Sequence, residues 1–85
     1  MANVKPNTDP QLTEEGQAKV DKILAAKLKR HEQIWLLHEM LLTNRQVAKL
    51  MGTNPGHVGN SIKDYVEHPE KIAKLKEKKD QIFNQ

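Results

Sequence analysis

The chain contains no cysteine, so neither a disulfide nor a thiolate metal site can hold its fold together. It has only one Trp, one Tyr and one Phe, which disfavours binding of single-stranded nucleic acid by base stacking. No apolar run approaches the ~20 residues of a membrane span, and the first residues lack the apolar core of a signal peptide. These absences predict a cytoplasmic protein without membrane contact, stabilised by packing alone.

The sequence also lacks the residue patterns of common catalytic sites. There is no glycine-rich phosphate loop and no grouping of Ser, His and Asp that could form a catalytic triad. His31 and His38 lie about 10.5 Å apart along one helix, which is too far for one metal ion. A chain of 85 residues supports one small domain rather than a large active-site cleft. We therefore expect no enzyme activity, no cofactor, no metal ion and no small-molecule substrate.

Positive charge is concentrated in the second half of the chain. Residues 1–43 hold six basic and six acidic side chains, whereas residues 44–85 hold eight basic and five acidic ones. The whole net charge of +3 therefore arises in residues 44–85. Such a basic region is expected where a protein meets the phosphates of a nucleic acid.

Apolar residues recur at helical spacing and no segment has the alternation of a strand, which predicts an all-α fold. Residues 1–8 are expected to be a flexible tail, followed by a single helical domain over residues 9–85. Asp9 and Pro10 form one possible helix start, and Thr13 offers a second start one turn later.

Residues 17–42 contain no Gly or Pro and predict one long helix, or two helices with a break near residues 29–31. Their apolar stripe consists of Val20, Leu24, Leu28, His31, Trp35, His38 and Leu42, widened by Ile23, Ile34, Leu37 and Leu41. Residues 34–42 are expected to pack on residues 43–63. The stripe of residues 20–28 would then point outward and form a homodimer through the long N-terminal helix; alternatively, it folds back onto the same domain.

The segment after this helix carries local start and stop signals. Thr43 and Gln46 fit a capping box for a helix over residues 44–51, and Gly52 can end that helix with a positive φ. Asn54 and Pro55 then fit the cap and first position of a helix that reaches about Val66. Its predicted inner face comprises Val58, Ile62, Tyr65 and Val66.

A last amphipathic helix is expected to begin at Pro69. Ile72, Leu75, Ile82 and Phe83 form its apolar side, and five lysines lie elsewhere on it: Lys71, Lys74, Lys76, Lys78 and Lys79. Those lysines either form a solvated face or add contacts to phosphates.

Residues 43–63 resemble the helix-turn-helix of phage repressors and Cro-type proteins. Ala48 holds the position of the small residue where the two helices cross, Gly52 the turn, Val58 the branched apolar residue and Ile62 the apolar residue one turn later. The resemblance implies a helix-turn-helix core at residues 43–66. It further implies a small dimeric transcriptional regulator of phage or plasmid type that binds double-stranded DNA, with the second helix in the major groove.

The resemblance also assigns DNA-contacting positions. Asn60 would bond to adenine, and His57 would donate to guanine or to a phosphate. Lys63, Asn44 and Arg45 would reach phosphates. The full set of predicted DNA-binding residues is Asn44, Arg45, Asn54, Gly56, His57, Gly59, Asn60 and Lys63.

Gly56 and Gly59 depart from an ordinary recognition helix, because Gly inside a helix costs ~1 kcal/mol relative to Ala. Two interpretations stay open: a loosely specified helix or longer turn, or a backbone that approaches DNA closely.

Two other functions compete with a regulator. The chain could be the DNA-binding component of a packaging, partition or transposition complex, with the long helix building the oligomer. It could also be a helical protein-interaction module without DNA, whose binding would not weaken as salt rises.

Overall fold

The computed structural model describes residues 12–84, which form five helices and no strand. These are α1 (Glu14–Ala25), α2 (Arg30–Glu39), α3 (Asn44–Met51), α4 (Pro55–Glu67) and α5 (Pro69–Phe83). The all-α prediction is therefore confirmed for the described residues. The predicted tail of residues 1–8 and the helix start at Asp9 and Pro10 lie outside them. No helix in residues 12–84 combines the length and apolarity needed to cross a membrane.

The single long helix predicted over residues 17–42 is wrong, and the alternative of two helices is correct. α1 ends at Ala25 because Ala26 is extended (φ −73°, ψ 154°), so the break precedes the predicted position. The Gln33 side chain of α2 lies close to the end of α1 and donates to the carbonyl oxygens of Ile23 (3.3 Å) and Leu24 (3.4 Å). The Ala26 N–H also donates to the Ile23 carbonyl (3.3 Å), so the side chain from the following helix supplements that bond and gives the Leu24 carbonyl a partner.

The bend folds α1 back onto the same chain. α1 packs against α2 and α5, and its residues Val20 and Ile23 are completely buried. The prediction that this stripe points outward is therefore wrong, and the fold-back alternative is correct. Val20 and Ile23, on the face proposed for a homodimer through a long N-terminal helix, are therefore covered within one chain, whereas Leu24 and Leu28 are half-buried.

The core draws on all five helices and contains a stacked aromatic pair. The rings of Trp35 and Tyr65 lie 5.2 Å apart with an interplanar angle of 18°. The buried apolar residues are Val20, Ile23, Ile34, Trp35, Leu36, Leu37, Leu42, Val47, Ala48, Val58, Tyr65 and Leu75. Together they fix α4, which carries Val58 and Tyr65, against the rest of the domain.

Two apolar residues expected inside are exposed: Leu41 is 85% exposed and Val66 is 61% exposed. His31 of the predicted stripe is exposed as well. Leu41 follows the end of α2 and has a left-handed backbone (φ 67°), so the helical period no longer governs its direction. Val66 lies one position beyond the buried Tyr65, and one helical step turns it out of the core.

Ion pairs fasten α5 to the other helices. Lys78 Nζ lies 2.7 Å from Glu32 Oε2, and Lys79 Nζ lies 3.4 Å from Glu39 Oε1, both on α2. Lys71 Nζ lies 2.7 Å from Asp64 Oδ2 on α4. Three of the five lysines of α5 therefore contact acidic residues of the same chain, while Lys74 and Lys76 form no ion pair within residues 12–84.

Candidate nucleic-acid interface

The start of α3 is fixed by the predicted capping box. Thr43 Oγ1 accepts a hydrogen bond from the Gln46 N–H (3.1 Å), and Gln46 Oε1 accepts one from the Thr43 N–H (2.9 Å). This reciprocal pair satisfies two backbone donors that would otherwise lack partners at the helix N-terminus. The position at which α3 begins is therefore set by residues three positions apart in sequence.

The turn between α3 and α4 depends on Gly52. Its backbone is left-handed (φ 69°, ψ 35°), a conformation that glycine adopts without the steric penalty of a Cβ atom. The Thr53 N–H donates to the Ala48 carbonyl, five positions earlier, at 2.9 Å. This hydrogen bond is expected where a residue with a left-handed backbone ends an α-helix. The chain thus reverses within three residues, from Gly52 to Asn54.

α4 begins with the predicted Asn-Pro signal. Asn54 Oδ1 accepts from the His57 N–H at 2.8 Å, and Pro55 occupies the first turn. The capping bond uses one of the two acceptor sites of Asn54 Oδ1 and leaves the amide nitrogen available to another molecule. Within residues 12–84, the side chain of Asn60 has no hydrogen bond, so both its oxygen and its nitrogen are available.

α3 and α4 cross where small and branched side chains meet. Val47 and Val58 are completely buried, and Ala48 is nearly so. A small residue at a crossing lets two helix backbones approach closely. Ile62 is half-buried beside them and extends the contact by one turn.

The outer face of α4 is polar and exposed. Gly56, Asn60 and Lys63 follow each other at helical spacing on the side away from Val58, and all three are exposed. His57 is exposed at the margin of this face. Within residues 12–84, the side chains of Asn60 and Lys63 have no hydrogen bond or ion pair.

The start of α3 lies beside the middle of α4. A Cβ atom added to Gly59 would lie 3.6 Å from Asn44 Nδ2. Asn44 and its neighbour Arg45 are exposed, and Arg45 forms no ion pair among the described residues. The fold therefore brings Asn44 next to α4, with Arg45 exposed on the same first turn of α3.

The two glycines of α4 differ in their surroundings. α4 runs without interruption through both, so neither lengthens the turn. A Cβ atom on Gly56 would come within 3.2 Å of Asn54 Oδ1, the oxygen that caps the helix. A Cβ atom on Gly59 would make an ordinary contact. Gly56 thus has a local structural reason to be glycine, and Gly59 has none within the described residues.

The net charge of α3 and α4 is smaller than the +3 carried by residues 44–85 as a whole. α3 and α4 contain Arg45, Lys49 and Lys63 against Asp64 and Glu67, a net charge of +1. Glu67 follows Lys63 by one turn on the outer side of α4. Much of the positive excess lies on α5, where acidic partners already contact several lysines.

Arg30 is a cation beside the turn that the helix-turn-helix pattern does not predict. The Arg30 guanidinium, on α2, donates from Nη2 to the carbonyl oxygen of Met51 at 3.3 Å. The side chain is exposed, so it places positive charge beside the end of α3. Because Arg30 lies 21 positions before Met51, no local sequence signal links it to the turn.

A polar contact joins the side of α4 that faces the core to α2. The Tyr65 hydroxyl lies 2.7 Å from His31 Nδ1 on α2. Burial raises the pKa of Tyr65 to about 12, so the phenol stays protonated at neutral pH and can donate to His31. This bond and the stacking on Trp35 hold the C-terminal half of α4 on α2.

Within residues 12–84, no group of three or more His, Cys, Asp or Glu side chains is arranged to hold a metal ion. Comparison of the chain with protein-family models, with curated proteins and with solved structures finds no match.

Proposed function

We propose that this chain binds double-stranded DNA and acts as a small transcriptional regulator, with α3, the turn and α4 forming a helix-turn-helix. The observation that carries the proposal is the outer face of α4, where Asn60 and Lys63 are exposed and unpaired within the described residues. The opposite side of the same helix is anchored in the core by Val58 and Tyr65. A helix held in this way can enter a major groove without losing any contact of the folded chain.

Each polar residue of the region has a proposed role. Asn60 presents an amide that can pair with the N6 and N7 atoms of adenine, and His57 donates to guanine or to a phosphate. Lys63 and Arg45 contact phosphates, aided by the exposed amide of Asn44 at the start of α3. Arg30 adds a further cation beside the turn.

The remaining positions act through the backbone. Asn54 caps α4 and keeps its first N–H groups oriented, and Gly56 leaves room for that cap. Gly59 exposes the backbone of α4 without a side chain, so that the helix can approach the edges of the bases closely.

Selection of bound duplexes from a random DNA library tests the proposal. We expect enrichment of one short sequence, and a palindrome in that sequence would indicate two copies of the chain on one site. Affinity for the selected duplex should fall steeply with salt, because bound phosphates release counterions. A library that shows no enrichment after several rounds would contradict sequence-preferring DNA binding.

A second candidate function is a protein-interaction module without DNA. The exposed apolar side chains of Leu41 and Val66 favour it, as does the net charge of only +1 on α3 and α4. It predicts binding to a protein partner that changes little with salt. The alternative of a packaging, partition or transposition complex relied on a long helix to build the oligomer, and α1 of 12 residues gives it no support.

A further inference from the structure

A groove lies between the C-terminal ends of α1 and α5, on helices that do not belong to the proposed DNA-binding region. Its volume is about 700 Å³. Its lining includes three lysines and three half-buried apolar residues: Lys22, Lys27, Lys78, Ala26, Leu28 and Ile82. None of the residues lining this cationic groove lies on α3 or α4.

The rim of the cationic groove is positively charged. Lys22 and Lys27 are exposed and form no ion pair within residues 12–84. Lys78 is held by the buried Glu32 at 2.7 Å, yet half of its side chain remains exposed. Among the described residues, no acidic side chain lines the groove. The charges of Lys22 and Lys27 are therefore available to an anionic partner, whereas the charge of Lys78 is already paired with Glu32.

The floor of the cationic groove is apolar and incompletely covered. Ala26, Leu28 and Ile82 are each half-buried, because the helices of the same chain cover only part of their surface. Leu28 and Ile82 pack with one side against the core. An apolar floor under a cationic rim matches a partner that is apolar on one side and acidic along its edges.

We propose that the cationic groove docks an acidic amphipathic helix of a partner protein. Both walls of the groove are exposed to solvent, whereas a small ligand needs a site that covers most of its surface. A helix is covered on one side only, with its apolar residues on the groove floor and its carboxylates against the lysines. Since the groove lies on α1, α5 and the segment between α1 and α2, the partner and DNA can occupy the chain together.

A binding titration of the full chain tests this docking site. The probe is a fluorescently labelled synthetic peptide of about 18 residues, five helical turns, with leucine at spacings of three and four, glutamate beside the leucines and alanine elsewhere to favour the helix. We expect saturable binding that weakens as salt rises, because salt screens exposed charges. A probe of the same design with lysine in place of glutamate should not bind.

Matched charge variants distinguish binding in the cationic groove from nonspecific attraction between the acidic probe and a basic protein. Lys22→Glu with Lys27→Glu reverses two rim charges, and Lys74→Glu with Lys76→Glu reverses two exposed lysines outside the groove. Both double variants lower the net charge from +3 to −1. The groove variant should lose at least about tenfold in affinity, whereas the control should keep affinity within about threefold.

Thermal unfolding of each variant checks the fold, because Lys22 also offsets the negative end of the α1 dipole. If the glutamate variant fails to fold, Lys22→Gln with Lys27→Gln provides a milder change and should still weaken binding several-fold. Absence of saturable binding, or equal losses in the groove and control variants, would overturn the proposal. So would saturation by a fatty acid but not by the acidic helix, since that result would indicate a small amphiphile instead.

Discussion

Gly59 is the residue at which the stability of α4 and its contact with DNA are expected to conflict. A Cβ atom fits there at 3.6 Å from Asn44 Nδ2, and the backbone is helical. Gly59→Ala should therefore raise the free energy of unfolding by up to about 1 kcal/mol, the gain in helix propensity. Urea unfolding followed by the fluorescence of the single Trp35 measures this change.

The same substitution should weaken DNA binding, because the new methyl group would lie between the α4 backbone and the bases. Gly56→Ala provides the comparison, since its Cβ atom would press on the capping oxygen of Asn54 at 3.2 Å. We expect little or no gain in stability from Gly56→Ala. Unchanged DNA affinity in Gly59→Ala would mean that the backbone does not approach DNA at this position.

Leu41 carries backbone strain without a packing benefit. It has φ 67° and is 85% exposed, and a left-handed backbone costs a branched residue roughly 1–2 kcal/mol. Leu41→Asn should raise the free energy of unfolding by up to about 1 kcal/mol, because Asn tolerates this conformation better. Leu41→Ala, which keeps the Cβ atom, should leave stability close to that of the wild type. Equal effects of the two substitutions would show that strain at this position is small.

At the scale of helices, the boundaries set by local signals were predictable. These signals are the capping box of Thr43 and Gln46 at the start of α3, Gly52 at its end, and Asn54 with Pro55 at the start of α4. Each acts over at most three or four positions, so sequence spacing alone locates it. The end of α1 was not predictable in this way. It depends on Gln33, which reaches back to Ile23 and Leu24 only once α2 has packed against α1.

The attachment of α5 to α2 also depends on contacts distant in sequence. Lys78 and Glu32 are 46 positions apart and meet at 2.7 Å, with Glu32 buried. Lys78→Ala should lower the free energy of unfolding by about 1 kcal/mol, because it removes the charged partner of a buried carboxylate. Lys74 is the control, since it is exposed and forms no ion pair with any residue in the described part of the chain, and Lys74→Ala should change stability by less than about 0.5 kcal/mol. Equal losses would mean that the ion pair does not stabilise the fold.

The same ion pair predicts a dependence of stability on pH. Burial opposes ionisation of Glu32, but hydrogen bonds from Lys78 and from the Lys29 N–H outweigh it and hold the pKa of Glu32 below its usual range. A lowered folded-state pKa adds stability that is fully present above the unfolded value of 4.5 and is lost as pH falls through the folded value. Glu32→Gln should reduce the loss of stability on acidification below pH 4.5. Parallel curves for the variant and the wild type between neutral pH and acid would contradict this assignment.

In the whole molecule, the positions of the charged side chains determine which of them can contact a partner, and the net charge alone does not show this. The predicted contact residues lie on α3, on α4 and at the N-cap of α4, and each of them is exposed or half-buried there. The sequence could not show that Lys71, Lys78 and Lys79 contact acidic residues of the same chain, nor that Arg30 lies beside the turn, because these relations arise from packing. The molecule thus presents a polar face on α4 and a separate cationic groove on α1 and α5.

The central claim is that α3 and α4 contact DNA directly. Fluorescence polarisation with the selected duplex should compare the wild type with Arg45→Ala, Asn60→Ala and Lys63→Ala combined, and with Lys74→Ala and Lys76→Ala combined. Both variants remove two positive charges. We expect the triple variant to lose at least about 100-fold in affinity, and the double variant to stay within roughly fivefold of the wild type. Equal affinities of the triple variant and the wild type, or equal losses in both variants, would contradict the account.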